Sequence, residues 1–218
     1  RLLNIRGCSI TIPHKIDIIP LLDKTSENVR EMGACNTLYR DGEKICGENT
    51  DVIGFTAPLR KRSLSPETRV LVLGAGGVSR AAIAGLRRLG LANITLTNRR
   101  KERAEALCNE FGLLCAPWEE RGDVPADLII NTTPLGMTGA QEHETPYPRA
   151  FQDNGIAYDL IYTPFQTRFL RDAAAAGWET VSGLDMFIGQ GDAQFHLWTG
   201  HHLPEEAITA VTSALYGQ

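Results

Sequence analysis

The sequence predicts an α/β protein of two units: a small α/β unit, then a doubly wound parallel sheet, with a cleft between them. Three observations predict it. An apolar run, Arg69-Val70-Leu71-Val72-Leu73, leads straight into Gly74-Ala75-Gly76-Gly77-Val78-Ser79-Arg80, and small and apolar residues then recur at helical spacing through Ala81, Ala82, Ile83, Leu86 and Leu89. Short β-branched runs go on alternating with helical patterns to about residue 200, which implies a parallel sheet with right-handed crossovers and helices on both faces. Ahead of them, the stretch up to Ser65-Pro66 carries its own strand, hairpin and helix signals.

A glycine turn between a buried strand and a helix reads as a nucleotide site of Rossmann type. Gly74 permits the tight turn and Gly76 lets the backbone approach a pyrophosphate; the helix opening beyond Gly77 offers unpaired N–H groups and the positive end of its dipole. The third glycine position is Ser79, small enough for the helix to lie close to the sheet. The second strand, Asn93-Ile94-Thr95-Leu96-Thr97, ends where such a fold meets the adenosine ribose, and a carboxylate there would favour NAD. This chain has Asn98-Arg99-Arg100-Lys101 instead. Planar guanidinium forks match a 2′-phosphate, so the expected cofactor is NADP, with NAD possible. The same residues also suit a solvated basic start to the helix Lys101 to Phe111.

Composition narrows the function. At 218 residues, 43% hydrophobic and 22% charged, the chain has the length and apolar content of an ordinary globular protein with a sizeable core. A net charge of -4 makes no electrostatic case for nucleic acid or an anionic membrane. No apolar run is long enough to span a bilayer, and the start shows no signal-peptide pattern. Cys8, Cys35, Cys46, Cys108 and Cys115 are odd in number and never spaced C-x-x-C, and the five histidines form no ligand pattern. They read as reduced thiols of a cytoplasmic protein without a metal site. The chain begins at Arg1-Leu2-Leu3 with no Met, which suggests that a further N-terminal segment precedes it.

In order, Ile5 to Ile12 reads as a strand that Pro13 ends, followed by an amphipathic helix, Ile16 to Leu22. Lys15 thus falls at a strand-to-helix junction. A helical piece near Glu27 to Met32 precedes a hairpin, Cys35 to Tyr39 and Lys44 to Gly47, across Asp41-Gly42. A helix follows through Val52, Ile53, Phe55 and Leu59, and Ser63 to Thr68 reads as the linker. The expected units are residues 1–65, residues 66–200, and a C-terminal helix in 201–218 returning to the first unit. In the second, Leu113 to Ala116, Asp127 to Asn131, Ile156 to Leu160 and Glu179 to Val181 continue the strands. Helices are expected over Thr167 to Ala176, Met186 to Trp198 and Glu205 to Tyr216. Because ligands of such sheets bind beyond the carboxyl ends of the strands, Asn131-Thr132-Thr133, Asp159 to Tyr162 and Gly183-Leu184 should surround one crevice.

Hydride addition to a carbonyl makes an alkoxide, which a lysine ammonium can stabilise and protonate, and a neighbouring carboxylate would orient that lysine. The first unit offers Thr11, Lys15, Asn36-Thr37 and Asn49-Thr50-Asp51 at element ends. Lys15 and Asp51 are the natural pair, although Lys15 is also readable as solvated and Asp51 as a helix N-cap.

Three motifs of this unit, Ser9-Ile10-Thr11-Ile12-Pro13-His14-Lys15, Gly33-Ala34-Cys35-Asn36-Thr37 and Gly47-Glu48-Asn49-Thr50-Asp51, resemble successive motifs of the shikimate dehydrogenase family. The resemblance continues through Gly74-Ala75-Gly76-Gly77, Asn98-Arg99, Asn131-Thr132-Thr133-Pro134-Leu135-Gly136-Met137, Asp159-Leu160-Ile161-Tyr162-Thr163-Pro164, and Gly183-Leu184-Asp185-Met186 with Gln190. It implies an oxidoreductase that reversibly reduces 3-dehydroshikimate to shikimate with NADP. Lys15 and Asp51 would be its catalytic pair, and Thr11, Asn36 and Gln190 would contact substrate. Asn98 and Arg99 would hold the 2′-phosphate, while Tyr162, Gly183 and Met186 would line the nicotinamide end. The family's N-terminal strand and serine loop, which grip the substrate carboxylate, would precede Arg1, so quinate remains an alternative to shikimate. A non-catalytic NADP-binding module is a second alternative, which the presence of both Lys15 and Asp51 disfavours. Arg168 stands where the family usually carries proline. The expected partners are a small-molecule substrate and no nucleic acid or membrane, in a monomer or homodimer.

Overall fold

The computed structural model describes residues 5–11 and 13–216. Four short strands, β1 (Gly7–Ser9), β2 (Lys24–Thr25), β3 (Thr37–Asp41) and β4 (Lys44–Glu48), form a first sheet in the order β1-β3-β4-β2. β3 and β4 are an antiparallel hairpin, with Asp41 facing Lys44, and β2 lies parallel to β4. Helix α1 (Glu27–Met32) starts where the Ser26 side chain accepts a hydrogen bond from Val29 N. Helix α2 (Thr50–Leu59) follows β4 directly, and its N-cap is Asn49, whose side chain accepts from Asp51 N. Asp51 is therefore not the cap, and its carboxylate is free for other work.

Two expectations need correcting here. The strand expected over Ile5 to Ile12 is a strand only at Gly7–Ser9, and Ile12 lies outside the described residues. The helix expected over Ile16 to Leu22 is a run of turns ending in a 3-10 turn, Ile19–Leu21. Pro20 lacks the N–H an α-helix needs and its ring opposes the preceding turn. After one four-residue bond, Ile18 N to His14 O, the bonds that form, Ile19 N to Ile16 O, Leu21 N to Ile18 O and Leu22 N to Ile19 O, span three residues.

The second sheet has six parallel strands: β5 (Val70–Leu73), β6 (Ile94–Thr97), β7 (Leu114–Cys115), β8 (Leu128–Asn131), β9 (Ile156–Asp159) and β10 (Glu179–Val181). Their order is β10-β9-β8-β5-β6-β7. Successive residues of a strand point to opposite faces, so the uninterrupted apolar runs feed two cores. Val70 and Val72 of β5, with Leu128 and Ile130 of β8, pack into one core with residues of α2, α3 (Gly77–Arg88) and α4 (Lys101–Phe111). Leu71, Leu73 and Ile129 pack on the other side with Phe169, Leu170 and Ala173 of α5 (Arg168–Ala175). The chain winds outward from β5 to β7 and then restarts on the other side at β8. The crevice at that reversal opens beyond Leu73 and Asn131, where ligands of such sheets bind.

The last two helices are α6 (Gly183–Thr199) and α7 (Glu205–Tyr216). α6 begins three residues before the expected Met186, because Ser182 and Asp185 close a capping box, with Ser182 N donating to Asp185 Oδ2 at 3.1 Å. From the end of β10 it runs back along α2 to the first sheet, where Trp198 Nε1 donates to Leu38 O of β3 at 2.8 Å. The hydroxyl of Tyr216 on α7 donates to Tyr162 O, and its ring lies 5.1 Å from that of Phe165.

Glycine makes the α2–α6 contact possible. A Cβ on Gly54 would stand 2.5 Å from Met186 O and 2.7 Å from Gln190 N, both α6 backbone atoms that cannot rotate away. Gly54→Ala is expected to push the helices apart and to cost about 1–3 kcal/mol, the usual range for overpacking. A lowered urea midpoint at unchanged m-value would register it.

Candidate active site

Two cavities lie along one side of the molecule. The larger, about 630 Å³, is lined by Thr11, Lys15, Asn36 and Asp51, from the loops beside the first sheet and the start of α2, and by Leu160 and Tyr162 beyond β9 with Gly183 at the start of α6. α6 supplies Met186, Phe187 and Gln190. The smaller, about 210 Å³, is lined by Gly74, Ala75, Gly76, Asn98, Arg99 and Thr132. The single crevice expected from sequence is thus divided: Thr132 and Thr133 face the smaller cavity, and Leu160, Tyr162 and Gly183 the larger.

Lys15 sits in the turn after β1, its carbonyl accepting from Cys35 N at 2.7 Å. Its Nζ donates to Asp51 Oδ2 at 2.8 Å, and the side chains are 29% and 23% exposed, so the pair faces the cavity while partly shielded from water. The other carboxylate oxygen, Asp51 Oδ1, accepts from Asn36 Nδ2 at 2.8 Å. Asn36 is itself fixed, its Oδ1 accepting from Thr50 N and from the Thr37 hydroxyl, each at 2.8 Å. A cation whose counter-ion is held by a second donor is an arrangement suited to giving and taking a proton at one place.

Opposite Lys15, the cavity wall is aromatic and apolar. Tyr162 and Phe187 stack at 5.3 Å with Val78 and Met186 nearby, and Tyr162 remains 45% exposed. Gly183 comes so close to β9's end that a Cβ there would stand 2.5 Å from Ile161 O.

Beneath both cavities, Asp159 is fully buried. Oδ1 accepts from Asn131 Nδ2 and Ile161 N, each at 3.0 Å, and Oδ2 from the Thr167 hydroxyl at 2.6 Å. It holds the ends of β8 and β9 in place, so Asn131 and Asp159 are floor supports and not lining residues. Burial pushes the Asp159 carboxyl up to about 7, against the downward pull of its three hydrogen bonds. An unfolded chain releases this proton near pH 4 and the folded one near 7, so the group's contribution is greatest below about pH 4 and is lost as pH rises to about 7. Asp159→Asn keeps an acceptor for Asn131 and Ile161. It is expected to remove that part of the slope, on the order of 1.4 kcal/mol per pH unit, in urea unfolding between pH 4 and 7.

The smaller cavity has the makings of an anion site. Gly74 has φ of 116°, and a Cβ on it would stand 2.5 Å from the Thr132 hydroxyl. Added Cβ atoms at Gly76 and Gly77 would meet nothing within 4 Å, so the start of α3 is bare and open to a ligand. Asn98 lines the space with its amide already engaged: its Oδ1 accepts from Ala75 N at 3.3 Å and its Nδ2 donates to Arg100 O at 2.8 Å, which braces the turn. Arg99, Arg100 and Arg103 line the cavity. Arg69, Arg80 and Arg88 elsewhere pair with Asp127, Glu110 and Glu31, whereas these three have no carboxylate partner among the described residues. Bare helix N–H groups and unneutralised guanidinium groups fit a pyrophosphate and a further phosphate. Arg168, at the start of α5, lies off both cavities and pairs with Asp172 at 3.5 Å.

Sequence reasoning passed over Arg103, Phe187 and Gln194. Arg103 could have been found in the first turn of the helix that follows Arg99-Arg100, and Gln194 one helical turn beyond Gln190.

The geometry agrees with known proteins along the whole chain. The family described as the shikimate dehydrogenase substrate binding domain matches residues 1–38, and that described as shikimate / quinate 5-dehydrogenase matches residues 59–120. The shikimate 5'-dehydrogenase C-terminal domain matches residues 183–211. The shikimate dehydrogenase (NADP(+)) of Pelobacter propionicus is 56% identical over 218 residues, covering 99% of this chain and 79% of that protein. The chain belongs to the shikimate dehydrogenase family. Among solved members, shikimate 5-dehydrogenase from Thermus thermophilus in complex with NADP(H) and shikimate superposes with a TM-score of 0.83 at 36% identity, covering 97% of this chain and 80% of that one. Quinate dehydrogenase from Corynebacterium glutamicum in complex with NAD superposes with a TM-score of 0.84 at 30% identity, over 98% and 79% of the two chains. The superposition extends over nearly the whole chain, the parallel six-stranded sheet included.

Proposed function

We propose that this protein is an NADP-dependent shikimate dehydrogenase that reversibly reduces 3-dehydroshikimate to shikimate, with Lys15 and Asp51 as its catalytic pair. The observation that carries the reading is the Lys15–Asp51 pair, 2.8 Å apart, on one wall of a cavity whose other wall belongs to the glycine-turn sheet. Bound in the cleft, NADP supplies the two-electron exchange with the reacting carbon. Lys15 holds at Nζ the proton that the carbonyl oxygen gains on reduction and takes it back on oxidation. Asp51 orients that ammonium, and Asn36 orients Asp51. Thr11, Asn36 and Gln190 bind the polar groups of the substrate from three sides of the cavity.

Gly74, Ala75, Gly76, Gly77 and Thr132 form the pyrophosphate seat. Arg99, with Arg100 and Arg103, receives the 2′-phosphate, while Asn98 acts by bracing the turn. Tyr162, Gly183 and Met186 form the wall for the nicotinamide. Residues 1–65 form the substrate unit and 66–200 the cofactor unit; α6 runs from the second back to the first, and Tyr216 of α7 packs beside Tyr162 and Phe165.

The experiment is a turnover assay of the full-length protein with shikimate and quinate, each with NADP and NAD. Fast turnover of shikimate with NADP is the expected result. Preferential turnover of quinate or use of NAD would move the protein to the quinate branch, and no turnover with retained NADP binding would leave a binding module.

A further inference from the structure

α6 brings a second glutamine into the site. Gln194 is buried, and its hydrogen bonds all go to the first sheet and the start of α2. Its Oε1 accepts from the Ser9 hydroxyl at 2.8 Å, and its Nε2 donates to the hydroxyls of Thr37, at 3.0 Å, and Thr50, at 3.4 Å. A hydroxyl has one proton, and one that accepts from Gln194 is left to donate elsewhere. Thr37 and Thr50 both donate to Asn36 Oδ1, at 2.8 Å and 3.2 Å. Without the glutamine the two hydroxyls, 3.1 Å apart, would satisfy each other, and Asn36 would lose one of its donors. A chain of polar contacts therefore runs from Gln194 through the two threonines and Asn36 to Asp51, and from there to Lys15.

Resting on the reading of Lys15 and Asp51 as the proton-handling pair, we infer that Gln194 is a positioning residue for that pair: it sets the direction of the threonine hydroxyls and so holds the Asn36 amide against Asp51. The same bonds anchor α6 one helical turn beyond Gln190, which fixes that residue at the cavity mouth. The other ionisable groups nearby are engaged elsewhere or unattached to the pair. Glu48 Oε1 accepts from Ser26, Asn28 and Asn49 N, Asp185 accepts from Ser182, and His14 and Asp17 make no bond to Lys15 or Asp51.

A weakened Asn36 bond leaves more of the Asp51 charge for Lys15, which then releases its proton less readily. The test is the pH profile of kcat for shikimate oxidation in the full-length protein, for wild type, Gln194→Leu and Ser9→Ala. Gln194→Leu is expected to lower kcat by about tenfold, the scale of one hydrogen bond, and to move the pH of half-maximal rate upward by about half a unit or more. The KM for NADP should stay within about twofold, because Gln194 does not reach the glycine turn. Ser9→Ala, which frees one end of the amide, should shift the profile in the same direction by less. A profile unmoved in both variants would overturn the inference, whatever happens to kcat or stability, since a purely structural role lowers activity equally at every pH. If Gln194→Leu does not fold, Ser9→Ala alone decides by the same shift. Lys15→Ala measured alongside separates the two readings: if it retains activity, the catalytic pair itself is wrong.

Discussion

Lys15→Ala is expected to lower kcat for shikimate oxidation by about 10²–10⁴-fold, the range that a positioned general acid or base contributes. NADP binding should be unchanged, because Lys15 lines the larger cavity and not the one at the glycine turn. The effect should be confined to kcat if the ammonium acts mainly in the transition state, and should appear in KM as well if it also holds the ground-state hydroxyl. Asp51→Asn is the companion. It keeps an oxygen for one neighbour and removes the charge that orients Lys15, so it should cost nearly as much, and the double variant little more than either single one. Steady-state kinetics with a fluorescence titration of NADP checks both halves. A loss of NADP affinity matching the loss of rate would show that the pair is structural.

The second large effect concerns cofactor choice. Arg99→Ala with Arg103→Ala should raise the KM for NADP by about tenfold to a hundredfold for each guanidinium that meets the 2′-phosphate, since hydrogen bonds to charged groups are worth about 1.5–3 kcal/mol. The KM for NAD should change little, because NAD lacks that phosphate. Salt should weaken the wild type's NADP preference and leave the double variant indifferent. The prediction rests on these guanidinium groups having no carboxylate partner among the described residues, while Arg80 is held by Glu110 and Arg69 by Asp127. Equal losses with NADP and NAD would place the 2′-phosphate elsewhere.

Much of the fold could be read locally. Val70–Leu73, the glycine turn and α3 were legible because strand periodicity, glycine freedom and helical spacing are properties of neighbouring residues. The failures were also local. Pro20 outweighed the amphipathic pattern of Ile16 to Leu22, and a capping box moved the start of α6 back to Gly183. Lys15 and Asp51 were legible as types suited to proton transfer, and the family resemblance singled them out.

By itself, the sequence determined the glycine turn, the alternation that makes a doubly wound sheet, and the kinds of side chain available for proton transfer and phosphate binding. Tertiary structure alone decided which of these meet. Gln194 and Thr37 are 157 residues apart, and they touch only because Gly54 and Gly189 let α6 lie against α2. Folding delivers Glu110 to Arg80, and to Arg99 and Arg103 it delivers no carboxylate among the described residues. The reason is physical: a local pattern fixes backbone conformation within a few residues, whereas a site is made by contacts between distant segments, and those depend on how closely the elements pack.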